Sequence, residues 1–137
     1  MQVKIKAKTY GPLRVHAGAD ASLIFESEAG NHVRSGPTPT ADALSPSDLM
    51  LAALANCIAI SMRMAADQMA LELGTMDLSA IAIKATDLPN RFGRFEVIIK
   101  TGVAIDPGKA TELVSRTKDI CTVSNTLSAV VVLLLNP

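Results

Sequence analysis

The sequence predicts an α+β fold, and three patterns carry that prediction. Apolar and charged residues alternate near the N-terminus, an apolar run with helical spacing opens at Ser45, and an unbroken aliphatic run closes the chain from Val130 to Leu135. In chain order, Val3, Ile5, Ala7 and Thr9 alternate with Lys4, Lys6 and Lys8, the period of a strand with one wet face. Leu13 to Ala17 and Ser22 to Glu26 are short and separated by a GAD turn, so the three segments read as an antiparallel meander. Residues 35–45, SGPTPTADALS, are rich in Pro, Thr and Gly and read as a loop.

At Ser45 the pattern changes. Ser45 can cap a helix, Pro46 suits the first helical position, and Asp48 suits both a capping box and the positive end of the helix dipole. Met50, Ala53, Leu54, Cys57, Ile58, Ser61, Met64 and Ala65 then fall on one stripe, and the opposite side stays largely apolar up to Arg63. A helix apolar almost all round is a central one, expected to run to about Ala70, before Gly74. One small sheet cannot cover so many faces, which predicts a second subunit over it. Residues 78–86 and 92–105 read as strands joined by DLPNR, and in the second Phe95, Val97 and Ile99 alternate with Arg94, Glu96 and Lys100. Asp106 and Pro107 open a further helix with Ala110, Leu113, Val114 and Ile120 at helical spacing, and Cys121 at or just past its end. The last run, Val130 to Leu135, is aliphatic throughout, the signature of an interior strand or of one covered on both sides.

Composition narrows the function. The chain has 137 residues, a length that suits a single domain over 1–137. Three Phe, one Tyr and no Trp leave no aromatic platform on which bases could stack. Thirteen basic residues balance thirteen acidic ones, so there is no general pull toward phosphate backbones or anionic membranes, and neither nucleic acid nor membrane is expected as a partner. The first residues, MQVKIKAKTYG, lack the apolar centre of a secretory signal. The longest apolar run, Leu49 to Met62, is interrupted by Asn56 and falls short of the roughly 20 residues that a bilayer span needs. A soluble, cytoplasmic chain is the expectation.

Two cysteines remain. In a reducing compartment a disulfide between them would be catalytic or redox-sensing rather than a structural staple. Cys57 sits in a greasy helix, where a free Cys often acts as a small hydrophobe. Cys121 sits beside Thr122, Ser124, Asn125 and Thr126, which can hydrogen-bond a thiolate or simply cap a turn. His16 and His32 could in principle join the cysteines around zinc, but the four lack the close pairing such sites show, so no metal and no cofactor are expected. Arg63 and Asp67, four apart, read as a solvated helical pair.

Taken together, SPSDLMLAALANC on a central helix and CTVSNTL after the second helix resemble the OsmC/Ohr family, the osmotically inducible protein C and organic hydroperoxide resistance proteins. The resemblance covers nearly the whole chain. It implies an OsmC-like fold in an intertwined homodimer, with sites at the subunit interface. It also implies a thiol-dependent peroxidase in which Cys57 attacks an organic hydroperoxide and Cys121 resolves the product as a disulfide, later reduced by a dithiol of unspecified identity. A free thiol is only about 3% ionised at pH 7, so Cys57 needs help. It lies too deep in its helix for the dipole to serve, because that effect fades within the first turn. By the resemblance, an arginine from the N-terminal strands supplies the charge, and Arg14 in GPLRVHAG is the nearest positional match. The family glutamate that holds this arginine is replaced by Ser47, and the proline after the second cysteine by Thr122, which points to an OsmC-like branch. Met50, Leu54, Ile58 and Met64 are expected to wall a pocket around Cys57. The alternative on the same fold is a non-catalytic dimeric protein that binds a small lipophilic ligand.

Overall fold

The computed structural model describes residues 5–87 and 90–137 and confirms the mixed α+β class, with two three-stranded sheets and helices. The chain forms two compact units that meet in sequence between Asp48 and Leu49.

The first unit holds an antiparallel meander of β1 (Arg14–Ala17), β2 (Leu23–Glu26) and β3 (His32–Ser35). The meander is as expected, but its membership is not. Residues 5–9 form no strand, positions 1–4 of the predicted strand lie outside the described residues, and the third strand is instead His32–Ser35. A four-residue strand is too short for its alternation to stand out, whereas at residues 5–9 the alternation occurs without a strand. Two one-residue bridges, Ser35 with Leu44 and Thr40 with Ala43, order the loop that follows.

Helix α1 (Pro46–Gln68) starts where its cap chemistry dictates. The Asp48 N–H donates to Ser45 Oγ (3.1 Å) and the Ser45 N–H donates to Asp48 Oδ2 (2.9 Å), a reciprocal capping box. The helix ends against Ala70, whose positive φ of 53° turns the chain in the left-handed region. Arg63 does not pair with Asp67; its Nη2 donates to the Gly74 carbonyl at 2.7 Å and ties the helix to the chain that follows.

The second unit contains that helix from Leu49 onward and the sheet β4–β5–β6, formed by β4 (Met76–Lys84), β5 (Phe92–Thr101) and β6 (Val130–Leu135). β4 and β5 pair antiparallel, β5 and β6 parallel. A parallel neighbour requires a long crossover, and it is supplied by α2 (Pro107–Ile120) and a five-residue α3 (Thr122–Thr126) that the sequence did not announce. The core is Leu54, Ile58, Met62, Ala65 and Ala66 of α1 against Phe95, Val97, Ile99, Val131 and Leu133 of the sheet, with Leu113 and Cys121 from the crossover.

Two burial expectations are corrected. β6 is an edge strand with one covered face: Val131 and Leu133 are buried while Val130 and Leu134 are exposed. In α1 the buried stripe runs through Leu54, Ile58, Ser61, Met62, Ala65 and Ala66, leaving Met50, Ile60 and Met64 exposed. At 23 residues and a mean hydropathy of 1.7, α1 is also long and apolar enough to cross a membrane, so the run-length argument against a span fails. Its buried stripe nonetheless packs in the core, as in the central helix of a folded domain.

Candidate active site

Cys57 lies near the middle of α1, at the edge of its buried stripe and half-buried. Cys121 reaches it from the crossover. On α2, Leu113, Thr117 and Cys121 are spaced four apart and are all fully buried, so the helical repeat itself drives Cys121 into the core. Cys121 is at once the C-cap of α2, its N–H donating to the Thr117 carbonyl (3.0 Å), and the N-cap of α3, its Sγ accepting from the Ser124 N–H (3.4 Å). One residue thus ends one helix and starts the next, and the first backbone N–H groups of α3 are left to point outward.

Those groups meet Cys57. The sulfur of Cys57 lies beside the backbone N–H groups of Val123 and Thr122, the thiol of Cys121 and the hydroxyl of Ser61, all of which favour its thiolate. Burial works against ionisation of Cys57, but these four partners outweigh it, Val123 foremost, and hold its pKa below the ordinary thiol value. Cys121 moves the other way. Burial pushes its pKa up, and a negative Cys57 beside it pushes it further, against the hydrogen bond from the Ser124 N–H. The two thiols, both free, are shifted in opposite directions, Cys57 toward the thiolate and Cys121 toward the thiol.

Two of the polar side chains after Cys121, those of Asn125 and Thr126, bond to the backbone. Asn125 Nδ2 donates to the Asp119 carbonyl (3.1 Å) and Thr126 Oγ1 to the Thr122 carbonyl (2.7 Å). The amides of residues 122 and 123 and the hydroxyl of Ser61 are the contributors that sequence reasoning passed over. The first depend on where α3 docks, which no local pattern encodes. Ser61 did leave a signal, a hydroxyl four positions after Cys57 in an otherwise apolar stripe.

Arg14 opens β1 in the first unit, opposite Glu26 in the ladder, and lines an open cleft with Pro12, Glu26, Ser27 and Glu28. Ser47 is exposed in the first turn of α1, and the neighbouring Asp48 carboxylate is engaged in the cap. His16 faces Ile24 across β1 and β2, and His32 Nε2 lies 3.6 Å from Glu26.

The predicted pocket wall is only partly met. Leu54 and Ile58 are fully buried core residues and Met64 is exposed. Met50 does line a cavity of about 340 Å³, with Phe92, Phe95, Leu127, Ala129 and the polar Asn90, Arg91 and Ser128. The rings of Phe92 and Phe95 meet edge to face there, 5.7 Å apart.

Fold and site together define an α+β protein with a paired-thiol centre between a long core helix and a crossover turn. Residues 39–135 match the family described as OsmC-like protein, and the chain belongs to that family. Its fold is shared by solved structures at low identity. An OsmC-like protein from Mycoplasma pneumoniae superposes with a TM-score of 0.82 at 14% identity, covering 96% of this chain and 98% of that one. An organic hydroperoxide resistance protein OsmC from Legionella pneumophila gives 0.72 at 19% identity, over 95% and 97% of the two chains. The organic hydroperoxide resistance protein OhrB of Bacillus subtilis gives 0.68 at 18%, over 91% and 96%. Among functionally curated proteins none matches the sequence significantly.

Proposed function

We propose that this chain, as a single OsmC-like domain over 1–137, is a thiol-dependent peroxidase that reduces organic hydroperoxides through Cys57 and Cys121. The observation that carries the reading is the pair of neighbouring free thiols with opposite pKa shifts, one turned toward the nucleophile's thiolate form and the other away from it. The Cys57 thiolate attacks the terminal peroxide oxygen. The O–O bond breaks, the alkoxide leaves and takes a proton as the alcohol, and Cys57 becomes a sulfenic acid. Cys121 then attacks that sulfur, water leaves, and the Cys57–Cys121 disulfide forms. A dithiol reductant restores both thiols by exchange. Relatives of the same fold that carry the name organic hydroperoxide resistance protein support this substrate class.

Three further assignments belong to the same reading. By the family resemblance, Arg14 is the candidate for the arginine whose charge activates Cys57. The working form is a homodimer, favoured by the exposed Ile60 and Met64 of α1. The compartment is the cytoplasm, where reductants keep such thiols ready.

The variants Cys57→Ser and Cys121→Ser test the roles. With cumene hydroperoxide, Cys57→Ser should consume no peroxide, while Cys121→Ser should complete one turnover and leave a sulfenic acid that dimedone traps at residue 57. Equal residual turnover in both would refute the assignment. A second reading, a non-catalytic binder of a small lipophilic ligand, is favoured by the cavity beside Met50, whose wall includes neither thiol. It predicts no peroxide consumption by the unmodified protein.

A further inference from the structure

The helices pack on one face of the β4–β5–β6 sheet, the face of Phe95, Val97 and Ile99. Successive side chains on a strand point to opposite faces, so Arg94, Glu96 and Ile98 stand on the other. The pairing register sets Ile83 and Val130 on either side of Arg94, Ile81 and Val132 on either side of Glu96, and Ser79 and Leu134 on either side of Ile98. Over these levels the outer face is aliphatic apart from Ser79 and one ion pair, Arg94 Nε to Glu96 Oε1 at 2.8 Å. Asp77 and Lys100, opposite each other at the far end, cancel in charge. Ile81 is 50% and Val130 58% exposed, and Ile83 and Leu134 are exposed as well. A solvated sheet face ordinarily carries polar residues in these places, and aliphatic neighbours on adjacent strands make a contiguous patch of the kind that marks an interaction surface.

We propose that this face docks a second copy of the same chain, sheet on sheet, about a two-fold axis at the level of Phe95. The charges select the partner. With β5 antiparallel to its symmetry mate, Arg94 of each copy stands over Glu96 of the other, and the two ion pairs close into a ring of alternating charge. The same operation lays Ile81 over Ile83 and Val130 over Val132 of the other copy, apolar on apolar. A lipid surface would strip water from Arg94 and Glu96 and return no charge to either. The patch is three strands wide at about 4.8 Å per strand, less than a standard interface needs, so the association is reversible and concentration-dependent. It uses a different surface from the exposed side of α1 and does not depend on the thiol chemistry.

Sedimentation velocity over a rising concentration series tests the docking. The sedimentation coefficient of the unmodified protein should climb with concentration. Arg94→Glu sets carboxylates against carboxylates across the axis, Glu96→Arg sets guanidinium groups against guanidinium groups, and each variant alone should lose the climb. Mixed in equal amounts the two should restore it, because the carboxylates of one copy then face the guanidinium groups of the other. If a single variant does not fold, the doubly exchanged Arg94→Glu, Glu96→Arg chain, which rebuilds the ring, should keep the climb, and Ile81→Asp alone should lose it. A coefficient that does not change with concentration in the unmodified protein, a climb that persists in either single variant, or a mixture no different from its parts overturns the proposal. So does flotation of the unmodified protein with neutral phosphatidylcholine vesicles, which would assign the face to lipid.

Discussion

At Cys57 burial and hydrogen bonding pull in opposite directions, and the outcome depends on two backbone amides. Burial raises the pKa of the thiol; the Val123 N–H, the Cys121 thiol, the Ser61 hydroxyl and the Thr122 N–H lower it, and they win. A lowered pKa means more thiolate at any pH below the ordinary value, and for Cys121 the sign is reversed. Alkylation of the reduced protein by iodoacetamide, followed site by site by mass spectrometry across pH, should therefore reach its half-maximal rate at a lower pH at Cys57 than at Cys121. Equal midpoints would contradict the division of labour. The sequence revealed that Cys57 required help but placed all of it in an arginine. Backbone donors are invisible to residue-type reasoning because every position but proline has one, and only docking of α3 aims two of them at a sulfur.

Among the elements, α1 matters most because it fixes the height and facing of Cys57. Its entry is set by the reciprocal Ser45 and Asp48 hydrogen bonds. Removing the cap in Ser45→Ala should cost about 1 kcal/mol, seen as a lowered urea midpoint with an unchanged slope. An unchanged midpoint would show that the box contributes nothing. This cap was legible in the sequence, as were Pro46 at the helix start, the Asp106 and Pro107 opening of α2 and the reach of β6 from Val130 to Leu135. Each depends on local chemistry or on a period that a short window displays. The assignments that failed depend on partners. Alternation at residues 5–9 reads as a strand where none forms, β3 is too short to show a period, and the uniformly aliphatic β6 conceals that it lies at an edge.

For the molecule as a whole, the unsettled quantity is apolar surface. Ile60 at 63% and Met64 at 49% exposure lie one turn apart on α1, and in the first unit Val15 at 60% and Leu13 at 57% are exposed as well. The account assigns their cover to a second copy of the chain. Sedimentation at micromolar concentration should find a dimer, with a total interface on the order of 2,000 Å² or more; a fully active monomer would contradict it. The family was readable from two cysteine motifs spread over most of the chain, because motif and element order survive at identities where other residues do not. What the paired thiols do is the central claim, and one measurement addresses it most directly. Reduced protein is mixed with one equivalent of cumene hydroperoxide, then digested without reductant, and its peptides are weighed. The account predicts a linked pair of peptides joining Cys57 to Cys121, with one peroxide consumed per disulfide; two unmodified thiols beside intact peroxide would contradict it.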